Sequence, residues 1–342
     1  MDNVYQFTLS EFNKQHPQLS GPRMRDFYRW LYKGKCSSFV DSGSFKSLIS
    51  MYSIKLPIIK HQQLSSDGTI KFLIMFDDEQ TVETVLIPFK NKYSVCLSTQ
   101  VGCGMNCQFC HTATQGLGRN LNSFEIVGQY LIASNWLRDN KKEIIASPNI
   151  VFMGQGEPLH NFDELSKAIE IFQQPYGLSL GPRQICVSTV GYLPGLLRFS
   201  QLPKCNIAFS LHATTDSIRN KIIPVNKTWP LNDLIKAFEN IKFGNGQFLN
   251  IEYLVIKDLN HTFEDAVRLK ERFSHLPITV NLIAFNPFPG SYLQRPNRCQ
   301  VEQFANDLRS QGIFTTIRTT KGDDILAACG QLKSELSSHK VN

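Results

Sequence analysis

The chain has 342 residues, 42% apolar and 19% charged, with 36 basic against 29 acidic side chains for a net charge of +7. This globular composition suits one large domain with an appendage and excludes disordered, collagen-like and low-complexity readings. No stretch approaches the roughly 18 consecutive apolar residues of a membrane helix, and the start lacks a signal peptide's basic-then-apolar pattern, so a cytoplasmic protein is expected.

Residues 1–60 read as a helical domain, with apolar positions at Phe27, Trp30 and Leu31 and again at Phe45, Leu48 and Ile49. Arg23, Arg25, Arg29, Lys33 and Lys35 crowd this region against a single acid, Asp26, an imbalance that suits a polyanionic partner. Residues 61–93 form a β-rich connector, because Ile70, Phe72 and Ile74 and then residues 81–87 alternate with strand period.

From residue 94 onward, short β-rich runs alternate with amphipathic helical segments. Strands are expected over 94–98, 149–153, 184–189, 206–211, 249–256 and 279–285. Helices are expected over 122–137, 163–172, 231–243 and 262–273. Six strand-helix units over 94–342 predict an α/β fold with a parallel sheet curled into a partial barrel, its active residues at the C-terminal strand ends. A doubly wound open sheet is the alternative.

Nine cysteines, an odd number, argue against a complete disulfide framework and favour metal or catalytic thiols. Cys103, Cys107 and Cys110 form a Cys-x3-Cys-x2-Cys run on a glycine-containing loop after the first barrel strand. Three thiolates so spaced can hold a cubane iron-sulfur cluster and leave its fourth iron open to a substrate. Zinc held by the three cysteines and His111 is the alternative, disfavoured because adjacent residues seldom reach one metal without strain.

At the second strand's end stands Gly154-Gln155-Gly156-Glu157-Pro158, where glycine permits close backbone approach and Glu157 can accept from an ammonium. Ser188, Ser210, Leu211 and His212 end the third and fourth strands, and Asn286 follows the sixth with an amide able to read an adenine edge. Free cysteine is ordinarily a small buried hydrophobe, the reading for Cys36, Cys186, Cys205 and Cys299.

The cysteine run, followed by the glycine-glutamate turn, resembles the radical S-adenosylmethionine (SAM) superfamily. With Cys96 leading into the cluster loop and Gly322-Asp323-Asp324-Ile325-Leu326-Ala327-Ala328-Cys329-Gly330-Gln331-Leu332 near the terminus, the chain resembles the RlmN/Cfr family of RNA methyltransferases from about residue 80 to 332. The resemblance implies a radical SAM partial (β/α)6 barrel with a 4Fe-4S cluster on Cys103, Cys107 and Cys110, and SAM held by Gly156, Glu157, Ser188, Ser210, Leu211, His212 and Asn286.

It further implies that two SAM molecules serve each turnover. Cys329 takes a methyl from the first. A deoxyadenosyl radical from the second abstracts hydrogen from that methyl, which then adds to adenine. Glu83 matches the proton acceptor, and Cys96 the thiol that releases product through a transient disulfide.

The segments around Asn286 and Thr319 to Asp324 resemble the RlmN branch, which methylates carbon 2 of an adenosine in 23S rRNA and, in many members, the adenosine 3′ of the anticodon in tRNA. Cfr-type methylation at carbon 8, and a zinc-bearing RNA-binding module without catalysis, are the alternatives. A flavodoxin donor and a monomeric state are expected. The chain departs from the family's commoner residues at His111, Thr114, Leu117 and Gln155, the last standing in place of Met.

Overall fold

The computed structural model describes residues 1–19, 21–33, 44–90, 92–141, 146–244 and 246–334. Lys35 and Cys36 lie outside the described residues.

The first helix, Leu9–Gln15, is started by a reciprocal cap between Thr8 and Glu11. It packs with the helix Pro22–Lys33 through edge-on rings, Phe12 against Phe27 and Tyr28. The Tyr28 hydroxyl donates to the Phe7 carbonyl at 2.6 Å. This aromatic core is continuous with the barrel's core, and Lys167 pairs with Glu11 at 2.8 Å across the junction. Arg25 and Arg29 stand over the Tyr176 ring at 5.0 and 5.3 Å, so the basic face projects beside the barrel.

Ten strands form one sheet. β1 (Ile58–Leu64), β2 (Ile70–Met75), β3 (Thr81–Phe89) and β4 (Lys92–Cys96) pair antiparallel. β1, unforeseen in the sequence, straddles the expected 60/61 boundary. β4 then pairs in parallel with β7 (Asn149–Phe152), and β8 (Ile185–Thr189), β9 (Asn206–Ser210), β10 (Leu249–Val255), β11 (Ile278–Ala284) and β12 (Thr315–Ile317) follow in parallel. β5 (Gln100–Gly102) and β6 (Leu117–Asn120) form a separate hairpin around the cysteine loop.

From β4 onward the main sheet's strand order follows chain order without reversal, so there is no switch point and the doubly wound alternative falls. Among the described residues β12 ends the sheet with no strand on its far side, which leaves the barrel partial.

The helices Ser123–Asn140, Phe263–Phe273 and Arg298–Ser310 each begin with a reciprocal cap, at Asn122, Thr262 and Asn297. The expected helix over 231–243 is shorter, Leu231–Glu239, because Asn240 and Ile241 tighten into i→i−3 bonds ahead of Gly244.

Candidate active site

The cysteine loop is shaped by backbone. Gly102 takes a positive φ of 71°, and a Cβ there would strike the Gly116 carbonyl. That carbonyl accepts from the Cys103 N–H at 2.7 Å, drawing the hairpin shut below the loop. Cys103, Cys107 and Cys110 line one cavity of about 140 Å³ with Glu157, Ser188, Ser210, His212, Glu252 and Cys329. Burial pushes the Cys107 and Cys110 thiols up and Cys103 to about 12, so these sulfurs need bound metal to stay ionised.

Among the described residues no three His, Cys, Asp or Glu side chains converge as a single-ion site. His111 is engaged elsewhere: its ring stacks on Phe288 at 4.8 Å and its Nδ1 lies 3.3 Å from the Gln331 carbonyl. The zinc arrangement therefore has no support in this geometry. The buried Cys107 and the half-buried Cys103 and Cys110, around a chamber shared with glycine backbone and polar side chains, fit a multi-atom cluster with an exchangeable ligand.

The turn after β7 supplies the cradle. A Cβ on Gly154 would lie 2.7 Å from the Leu97 carbonyl, and one on Gly156, at φ 100°, 2.7 Å from Gln100 Cβ. Glu157 accepts from Val190 N at 3.0 Å and Leu159 N at 3.1 Å, and among the described residues no cation pairs with it; burial pushes it up to about 7. A cationic amine would relieve that burial.

Ser188 Oγ and Ser210 Oγ stand 3.5 Å apart. His212 Nδ1 accepts from Leu254 N at 2.9 Å, so the proton sits on Nε2; burial and then Arg219 push the ring down to about 3, keeping it neutral. Leu211 is in the core and offers only backbone, its N–H donating to the Glu252 carbonyl at 3.1 Å. Arg219, fully buried, clamps these strand ends through the Leu211 and Ser210 carbonyls at 3.0 and 3.1 Å.

Cys96 and Cys329 share a second cavity of about 610 Å³ with Phe89, Lys90, Asn286, Arg318 and Lys321. Cys329 borders both cavities. The two thiols are close enough for a charge on Cys329 to push Cys96 up further, after burial, while Arg318 draws both down.

Asn286, expected at an adenine edge, lines this second cavity instead. Its Nδ2 donates to the Cys329 carbonyl at 3.3 Å and its Oδ1 accepts from Arg295. Glu83 is set back from both cavities on β3, ion-paired with Lys71 at 2.9 Å.

Gln155, the departure from Met, is buried and accepts from Glu83 N at 2.9 Å and Ser334 Oγ at 2.7 Å. Cys205 is buried as expected and Cys186 only partly, but Cys299 is exposed at the start of the helix Arg298–Ser310, a correction that reflects its place in the solvent-facing first turn. Sequence reading missed Lys71, Glu252 and Arg318. A carboxylate inside the apolar β10 run was the one available signal, for Glu252.

A partial parallel barrel with a three-cysteine loop after its first strand and a glycine-glutamate cradle after its second defines a radical SAM enzyme, and residues 97–269 match the radical SAM superfamily. The chain belongs to the RlmN family within it. It is 38% identical over 327 residues to the dual-specificity RNA methyltransferase RlmN of Jannaschia sp. (strain CCS1), covering 91% of this chain and 83% of that one. The protein of the same name from Bartonella tribocorum is 40% identical over 334 residues, at 91% and 82% coverage. The crystal structure of a radical SAM methyltransferase from Sphaerobacter thermophilus superposes with TM-score 0.87 at 32% identity, over 98% of this chain and all of that one. Membership implies a 4Fe-4S cluster and SAM, and among the described residues no helix is long and apolar enough to cross a membrane.

Proposed function

We propose that this protein methylates carbon 2 of a specific adenosine in 23S rRNA and of the adenosine 3′ of the anticodon in tRNA, using two SAM molecules per turnover and electrons from a flavodoxin-type donor. One observation carries the reading: Cys329 borders the chamber of Cys103, Cys107 and Cys110 on one side and the Cys96 cavity on the other.

When bound, the cluster and SAM supply a hydrogen-abstracting radical. The protein's own groups do the rest. The Cys329 thiolate attacks SAM's methyl carbon, the bond from methyl to sulfonium breaks with S-adenosylhomocysteine as leaving group, and Cys329 carries the methyl as S-methylcysteine into the second cavity. That cavity has room for an extruded base and is rimmed by Phe89, Lys90, Arg318 and Lys321, which suit a stacked ring and its phosphates. Once the methylene carbon has bonded to adenine, Glu83 accepts the proton from the attacked carbon, and the odd electron of the adduct would return to the bound cluster. The Cys96 thiolate then attacks Cys329 Sγ, the carbon–sulfur bond breaks as the disulfide forms, and the released methylene takes up a proton to become the product's methyl group. Arg25 and Arg29 contact RNA backbone, with residues 1–60 serving as the RNA-binding domain, 61–93 as the connector and 94–342 as the catalytic barrel.

The test is anaerobic incubation of cluster-loaded protein with RNA, SAM and reductant, then digestion to nucleosides and identification by mass and chromatography. 2-Methyladenosine in both RNAs is expected. 8-Methyladenosine would move the chain to the other branch, and unmodified RNA would overturn the reading.

A further inference from the structure

Glu252 lies within β10, its side chain 5% exposed in the wall of the chamber that holds the three loop cysteines. Its register partners are Ser210 on β9 and Asn281 on β11, so the three side chains share one face of the sheet. Asn281 Nδ2 donates to Glu252 Oε1 at 3.0 Å, and Thr316 Oγ1 donates to Asn281 Oδ1 at 2.6 Å, which fixes that amide with its N–H2 toward the carboxylate.

The other oxygen has no such partner. Oε2 is buried and accepts no hydrogen bond, and Arg318 Nη1 at 3.7 Å is an ion pair beyond hydrogen-bond reach. A buried carboxylate oxygen with vacant lone pairs in a cavity wall calls for a donor from the cavity's occupant.

SAM has three kinds of donor: its ammonium, its ribose hydroxyls and its adenine amine. Glu157 already offers a carboxylate for the ammonium in the same chamber. SAM's own carboxylate would be repelled by Glu252. Beside Glu252 stand the Ser210 and Ser188 hydroxyls, so the wall presents two hydroxyls and then a carboxylate, a row that matches a sugar edge and not a flat heterocycle.

We propose that Glu252 binds the ribose of SAM, its carboxylate accepting from the sugar hydroxyls. This rests on the reading of the chamber as the SAM site.

The experiment is equilibrium dialysis without reductant, on cluster-loaded protein, with SAM and with its 2′,3′-dideoxy analogue. Glu252→Gln is expected to weaken SAM binding about 10- to 100-fold, the range for a hydrogen bond to a charged group. Its effect on the analogue should stay within about threefold, since the hydroxyls are already absent. Equal losses for both ligands, or none for either, would overturn the proposal and leave Glu252 as a support for Arg318. Iron and sulfide content and the unfolding midpoint of the variant establish that the site is assembled. If Glu252→Gln does not assemble, Glu252→Asp keeps the charge but shortens the reach, and the same selective loss for SAM over the analogue is required. No saturable SAM binding by the unsubstituted protein would overturn the SAM reading and this proposal together, whereas normal binding without selectivity would overturn this proposal alone.

Discussion

The backbone N–H of Lys333 donates to Glu83 Oε2 at 2.8 Å, joining two residues 250 positions apart. The contact belongs to a set that docks the segment carrying Cys329: the Thr112 hydroxyl donates to the Leu332 carbonyl at 2.6 Å, and the His111 N–H to the Gly330 carbonyl at 2.6 Å. The residues directly after the three-cysteine loop thereby hold Cys329 beside it. Glu83, the proton acceptor in the proposed reaction, is thus held by Lys71 on one side and by the Lys333 N–H on the other.

The Lys71–Glu83 pair sets a pH dependence. Burial pushes the Glu83 carboxyl above its ordinary 4.5, while Lys71 and the Lys333 N–H pull it back. Lys71→Met removes most of that pull and raises the carboxyl further. A carboxyl raised in the folded state favours folding only while protonated, so the variant loses stability as pH climbs past the unfolded value. Urea unfolding should place it near the parent protein below pH 4.5 and about 3–5 kcal/mol behind at neutral pH. A gap independent of pH would contradict this.

Gln155→Met restores the family's commoner residue but deprives the Glu83 N–H and the Ser334 hydroxyl of their acceptor. A loss of about 1–3 kcal/mol is expected, the range for buried groups left unpaired. Hydrogen exchange should speed up at residues 329–334 more than in β9. Unchanged protection there would show that Gln155 does not hold the segment.

Gly156→Ala forces a Cβ to within 2.7 Å of Gln100 Cβ from a backbone at φ 100°. The strain and overpacking should cost about 1–3 kcal/mol and displace Glu157, weakening SAM retention on a desalting column. Parental stability together with parental SAM retention would mean the turn is looser than its geometry indicates.

Cys96→Ala should trap a covalent protein–RNA adduct that survives denaturing electrophoresis, because release from Cys329 Sγ needs the second thiol. Free methylated RNA at the parental rate would remove Cys96 from the reaction.

Arg25→Glu with Arg29→Glu reverses the charge beside Tyr176 without touching either cavity. RNA affinity should fall, and the slope of log affinity against log salt should shrink by about one for each phosphate the protein no longer neutralises. An unaltered slope would place the RNA interface elsewhere.

The strand-helix alternation was legible in the sequence because burial pattern repeats with backbone period, and β7 to β11 lie within a residue or two of their expected bounds. The three-cysteine loop was legible for a related reason: residues four and three apart on a glycine-containing turn have little freedom to separate. β1 and β12 were missed, since an exposed edge strand and a three-residue strand carry almost no periodicity.

The sequence by itself determined the local chemistry, namely which thiols, carboxylate and glycines stand together on each turn, because a few peptide units leave little choice of geometry. Tertiary structure alone decided that Cys329 sits between two cavities, that Asn286 faces the second of them, that Glu83 lies beneath the terminal segment, and that Glu252, in the wall of the first chamber, keeps one oxygen without a hydrogen bond. Those appositions arise from how far the sheet curls and where the last segment docks. Both are set by packing between residues hundreds of positions apart, which no local pattern encodes.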